Sequence, residues 1–190
     1  ALLDCRKARF DQALEHCEAA LDTNRQNNKA RVLTAIVMRK LGRDASSVLS
    51  DLLAMDPLDH WARYESGDVG GFLEKSRNDA QTVLDIAYDY ADAGFYQEAI
   101  EVLKLHHENE VAPVAVPNPL ERSQLTHYAL AWLEDCQERG TGTQTPKHAR
   151  AMSPDYLFPS RMHDQLVLQW ALAQDGEDRN AAYGLGNYLF

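Results

Sequence analysis

The chain has 190 residues, with 29 acidic and 19 basic side chains, and a formal net charge of −10. Such a balance repels phosphate backbones, so no nucleic-acid partner is expected. Apolar residues at 45% and charged residues at 25% fit an ordinary globular chain, and no apolar run approaches the length that spans a bilayer. Three cysteines, Cys5, Cys17 and Cys136, do not make a disulfide framework, and none has C-x-x-C or His-rich spacing. No cofactor and no metal is expected. The absence of an initiator Met and the apolar ends, Leu2-Leu3 and Leu189-Phe190, read as a piece excised from a longer chain. Such cut ends would offer apolar surface for homo-oligomer formation.

Helical spacing dominates in chain order, and a cytoplasmic, all-α, single domain over 1–190 is the expectation. Phe10, Ala13, Leu14, Cys17, Ala20 and Leu21 recur at three and four residues and predict a helix over Phe10–Leu21. A loop at 24–28 precedes helices over Lys29–Leu41, closed by Gly42, and Asp44–Met55, closed before Pro57. A short helix over Leu58–Glu65 follows, and Gly67, Gly70 and Gly71 predict a break. Asn78 or Asp79 can cap a helix reaching Ala93, Gly94 ends it, and Tyr96–His106 forms its partner. The Pro-bearing run 111–119 predicts an extended connector, after which Asn118 caps a helix to Gln137. Lys147–Met152 is a short helix, Ser160 caps another with Asp164 near its positive end, and a last one begins near Asp178. The sum is about ten helices.

The stretch 80–103 carries a repeat signature. Ile86-Ala87, Tyr90, Gly94, Tyr96, Ala99 and Leu103 are spaced so that small residues let two antiparallel helices approach while large ones fill the gaps beside them. This pattern resembles the tetratricopeptide repeat. Partial copies follow Ala35, Leu130-Ala131 and Leu185-Gly186, and the second-helix spacing recurs at Phe10, Ala13 and Cys17. The small residues Ala1, Ala35, Ala87, Ala131 and Gly186 stand 34, 52, 44 and 55 apart. Only the first spacing equals the roughly 34-residue period, so insertions are placed near 62–78, 107–118 and 139–159. The resemblance implies a right-handed α-solenoid of degenerate hairpins whose stacked small residues make close contacts. The blocks 56–65, 153–161 and 182–187 also look like repeat arrays of large bacterial proteins of unassigned function, which place a carbohydrate-enzyme-like β-sandwich ahead of a helical array.

In that repeat family the first helices line a concave groove that holds ligands. Mapped onto this chain, the resemblance implies a groove bearing Val32, Leu33 and Ile36, then Leu84, Asp85, Tyr88 and Asp92, then Tyr128 and Trp132, then Tyr183 and Asn187. Its ligand would be a protein or peptide, including another domain of the parent chain. Aromatic anchors suit such binding because they bury area at small entropic cost. The alternative is that Tyr88, Tyr128 and Trp132 pack against the inserted segments. The paired Lys and Asn of the family's anion clamp are not present, because Lys29 and Asn187 stand alone.

Other constellations carry less. Asp85, Asp89 and Asp92 share a helix face, which reads as a cation or basic-peptide patch or as a solvated face. His106-His107 diverge on a helix. Asp56, Asp59, Glu65 and Asp155 lie near aromatics, as the paired acids of a helical glycosidase would, but 190 residues is short for such a barrel and capping explains their positions. The expectation is an interaction scaffold and not an enzyme; a structural spacer beside a carbohydrate-active domain and a glycosidase fragment are the rivals.

Overall fold

A computed structural model describes residues 1–109, 123–138, 146–154 and 157–189. Every regular element among them is helical. The twelve helices are α1 (Leu2–Arg6), α2 (Phe10–Thr23), α3 (Asn28–Lys40), α4 (Ser46–Met55), α5 (His60–Glu65), α6 (Val69–Ser76), α7 (Ala80–Asp92), α8 (Tyr96–Glu108), α9 (Gln124–Gln137), α10 (Lys147–Ala151), α11 (Met162–Gln174) and α12 (Arg179–Leu189). None is long and apolar enough to cross a membrane. The chain divides into two compact units, Ala1–Arg77 with Asp92–Phe95, and Asn78–Ala91 with Tyr96–Phe190.

The first unit is built around α3, which packs against α2, α4 and α5. Its sequence explains that place. Val32 through Val37 are all buried: five are apolar, and the Thr34 hydroxyl is satisfied by the Ala30 carbonyl at 2.8 Å, so the middle of this helix belongs in a core. Its ends are closed by local chemistry. The Asn27 side chain accepts from the Ala30 amide at 3.0 Å, and Gly42, at φ +70°, turns the chain so that the Arg43 amide reaches the Met38 carbonyl at 2.8 Å. Asp59 caps α5 through the Ala62 amide at 2.8 Å.

Of the glycine-rich break expected at 66–71, residues 66–68 do separate α5 from α6, with Gly67 at φ +82°, but 69–71 form the first turn of α6. Asp68 accepts from the Gly71 amide at 2.9 Å, which starts a helix through both glycines. A Cβ on Gly71 would stand 2.3 Å from the Asp68 carboxylate, so glycine here makes room for the cap. The turn 92–95 belongs to this unit. Gly94 takes φ +81° and lies against Arg6, where a Cβ would come within 3.1 Å of the Arg6 Cα. Phe95 stacks obliquely on Phe10 at 6.4 Å, beneath Lys40 Nζ at 5.2 Å.

The second unit carries the pair with the strongest repeat signature. Asn78 bonds the His106 carbonyl (3.1 Å) and ring (3.0 Å), which brings the start of α7 to the end of α8 and makes them antiparallel. Ala87 and Ala99 are fully buried, as close approach requires. Helix α9 packs on α8, α10 and α11, and α12 packs on α10 and α11. Several boundaries differ from expectation. Among the described residues α9 begins at Gln124 with Ser123 as its cap, and the expected cap Asn118 lies outside those residues. The cap of α11 is Arg161, not Ser160, because Asp164 accepts from both the Ser160 and Arg161 amides at 2.9 Å and pulls the helix start one residue on.

The five small residues divide. Ala35 and Ala87 are fully buried and Ala131 is 9% exposed. Ala1 is instead the partly exposed N-cap of α1. Gly186 has nothing within 4 Å of where a Cβ would stand. The close approach on α12 occurs two residues earlier, at Gly184, where a Cβ would meet Leu157 Cδ2 at 2.8 Å. Ala181 and Gly184, three apart, define the inward face, and Gly186 is turned from it.

Candidate functional site

The residues expected to line a groove go to distinct places. Val32, Leu33, Ile36 and Leu84 lie in the cores of their units, at 5% exposure or less, and present almost no surface. Asp92 faces Arg6, whose Nε donates to the Asp92 carbonyl at 2.7 Å and whose Nη2 stands 3.6 Å from its carboxylate. Tyr183 is 52% exposed on α12. Tyr128 is fully buried, with its hydroxyl 2.9 Å from both Asp178 carboxylate oxygens. Burial and this carboxylate together hold the Tyr128 hydroxyl well above its ordinary pKa.

Asp85, Tyr88, Trp132 and Asn187 belong to one connected arrangement in the second unit. It is organised by the short segment 157–161 and the first turn of α11. The Tyr88 hydroxyl donates to Asp164 Oδ1 at 3.0 Å, its ring stacks on His163 at 4.6 Å, and Trp132 meets that ring edge-on at 6.4 Å. Burial, then the Asp164 charge, keep the Tyr88 proton in place far above the ordinary range. Arg161 reaches back to α7. Its Nε donates to Asp85 at 2.6 Å, its Nη1 to the Gln81 side chain at 2.6 Å, and its Nη2 to the Gln81 carbonyl at 3.0 Å. Burial works against the Arg161 charge, yet the pairing with Asp85 raises its pKa above the ordinary value.

The other end of the segment is held by α12. Asn187 Nδ2 donates to the Leu157 carbonyl at 3.1 Å, and the Leu157 side chain, 1% exposed, lies in the space left by Gly184 and beside Leu168. Burial alternates along the segment. Leu157 and Pro159 face inward, Phe158 and Ser160 outward, and the Arg161 side chain is 19% exposed. Such alternation belongs to an extended chain, whose side chains at i, i+2 and i+4 share a face. No local signal in the sequence marks this contact, since Arg161 and Asp85 are 76 residues apart.

Other features have structural roles. Among the described residues no group of three His, Cys, Asp or Glu could hold a metal ion. Cys5 and Cys17 are buried thiols, and burial pushes Cys5 up to about 11, which keeps it protonated at neutral pH. His106 turns to Asn78, while His107 stacks on His127 at 3.9 Å, and His127 stands 4.6 Å from His148. Asp56 accepts from Asn28 at 2.9 Å, Asp59 caps α5, and buried Glu65 pairs with Arg39. Asp155 lies outside the described residues. The first unit also has a cavity of about 450 Å³ lined by Arg39, Arg43, Leu49, Leu53 and Glu65. No protein-family model matches this chain, and no curated protein matches it.

Proposed function

We propose that this chain is a helical interaction scaffold, a solenoid of degenerate tetratricopeptide-like hairpins, that binds a protein or peptide segment without chemical turnover. The observation that carries the reading is the convergence of Asp85, Tyr88 and Asn187 on residues 157–164. Three helices, α7, α11 and α12, contribute side chains that hold a non-helical stretch by its backbone carbonyl, its apolar side chain and its guanidinium. Recognition of an extended peptide uses the same three kinds of contact. Trp132 and His163, both partly exposed, stand beside them over the buried Tyr88 ring.

Selection from a random-peptide phage library on the intact chain tests this. Enriched peptides that bind the parent and lose binding to Asp85→Lys support the scaffold. Asp85 is 62% exposed, so the change leaves the core untouched. A library that yields no enriched sequence, or only sequences indifferent to Asp85→Lys and Trp132→Ala, contradicts it and leaves the spacer reading.

A further inference from the structure

Within the second unit, the chain supplies its own occupant for the face just described, and that occupant specifies a partner. We propose that Gln81 and Asp85 on α7, with Gly184 and Asn187 on α12, form a recognition surface for an extended segment of pattern Leu-x-Pro-x-Arg. Residues 157–161 fill it in cis, and a partner carrying the same pattern fills it in trans. The inference rests on the scaffold reading and adds the identity of the ligand.

Each position of the pattern has a physical counterpart. The leucine subsite exists because α12 has glycine at 184: any side chain there would occupy the volume that Leu157 fills, within 2.8 Å of its methyl. Asn187 reads the backbone at the same residue, at 3.1 Å, which fixes register without reading a side chain. Proline at the third position is buried and restricted to φ near −65°, so an extended approach costs little entropy. The fifth position requires arginine and not lysine. Its Nε, Nη1 and Nη2 are all used, on Asp85, the Gln81 side chain and the Gln81 carbonyl, and a single ammonium cannot span those three acceptors. The second and fourth positions are free in identity, because Phe158 is 65% exposed and Ser160 is exposed. The net charge of −10 favours approach of a basic segment over an acidic one.

Occupation in cis sets how a partner competes. A tethered segment acts at an effective concentration in the millimolar range, so a free peptide meets a mostly filled surface and its apparent affinity falls by the filled fraction. Removing the Arg161 side chain weakens the cis occupant and leaves Asp85 and Gln81 unchanged.

The test titrates two labelled hexapeptides, Leu-Phe-Pro-Ser-Arg-Met and Leu-Phe-Pro-Ser-Glu-Met, against the intact chain, Arg161→Ala, and Asp85→Lys/Arg161→Ala, with folding checked by circular dichroism. The expected result is at least tenfold tighter binding of the arginine peptide by Arg161→Ala than by the parent, and a preference for the glutamate peptide in the double variant. Equal affinity for parent and Arg161→Ala, or an unchanged preference in the double variant, overturns the proposal. Should a variant not fold, hydrogen exchange on the parent decides: saturating arginine peptide is expected to lower protection of the Arg161 amide, and unchanged or raised protection overturns the proposal. The phage selection separates the two readings. Asp85-dependent sequences lacking the pattern retain the scaffold and refute this ligand, whereas no enrichment refutes the scaffold itself.

Discussion

The two units use different means to hold their helices. In the first, local caps stand at several helix starts: Asn27, Asp59 and Asp68 each cap a helix three residues on, and Asp44 accepts from the Ser46 amide and hydroxyl, while one buried carboxylate, Glu65, pairs with Arg39 across 26 residues. In the second, buried polar side chains join residues far apart in sequence. Tyr88 meets Asp164 across 76 residues, Tyr128 meets Asp178 across 50, and Trp170 donates to Asp135 across 35. A local cap forms with its helix and stabilises it by about 1 kcal/mol. A buried long-range pair contributes little over an apolar one, but losing one partner leaves the other unsatisfied in low dielectric. The caps of the first unit should therefore tolerate single polar changes, and the buried long-range pairs of the second should not.

The largest expected effect breaks that contrast most directly. Asp164 is fully buried and serves Tyr88, the Ser160 amide and the Arg161 amide. Asp164→Ala is expected to cost about 3–5 kcal/mol in urea unfolding, against about 0.5–2 kcal/mol for Asn27→Ala, which removes the cap of α3. Equal losses would erase the distinction. Next in size, Gly184→Val forces a side chain into Leu157 and should cost about 1–3 kcal/mol. Gly186→Ala meets only open space and should gain about 0.5–1 kcal/mol through helix propensity. Thermal melts of the two variants moving in the same direction would contradict the assigned inward face of α12.

The smallest effects come from pH, and their signs oppose. Hydrogen bonds from Ser46 hold the Asp44 carboxyl below its ordinary pKa, and those from Gly71 and Arg63 do the same for Asp68. A lowered carboxyl pKa contributes stability that is present above about pH 4 and lost as pH falls through the folded value. Tyr88 and Tyr128 are raised, so their contribution is complete below about pH 10 and lost as pH rises towards the folded values. The first pH unit above that point costs at most about 1.4 kcal/mol per tyrosine. Burial raises the Cys5 and Cys17 thiols of the first unit as well, so both units lose stability in base, while the lowered carboxyls Asp44 and Asp68 belong to the first unit alone. Hydrogen exchange should therefore find the acid-sensitive amides in the first unit; acid sensitivity confined to the second would contradict this.

What could be read from the sequence follows the same division. Local signals were sufficient for the α7–α8 pair, where the cluster at 78–79, Gly94 and the alanine spacing bracket both helices to within about two residues. They also placed the start of α12 at Asp178, whose carboxylate accepts from the Ala181 amide. Helix α6 is not legible in the sequence because two glycines outweigh the Asp68 cap beside them. The Leu185-Gly186 register was set by a motif match, whereas the packing is set by Leu157, which arrives from another segment. The site shows the same limit. Aromatic and acidic residues of α7 and α9 could be proposed for a surface, but what Asp85 and Tyr88 face depends on Arg161 and Asp164, and no spacing rule connects residues 76 apart.

Amide chemical-shift mapping of the intact protein with the arginine hexapeptide tests the proposal that the α7 and α12 face of the second unit binds an extended chain. The expected shifts concentrate at Gln81, Asp85, Asn187 and residues 157–161, with the cap residues Asn27, Asp59 and Asp68 unmoved. No shifts at saturating peptide, or shifts centred on α3 and α4, would contradict it.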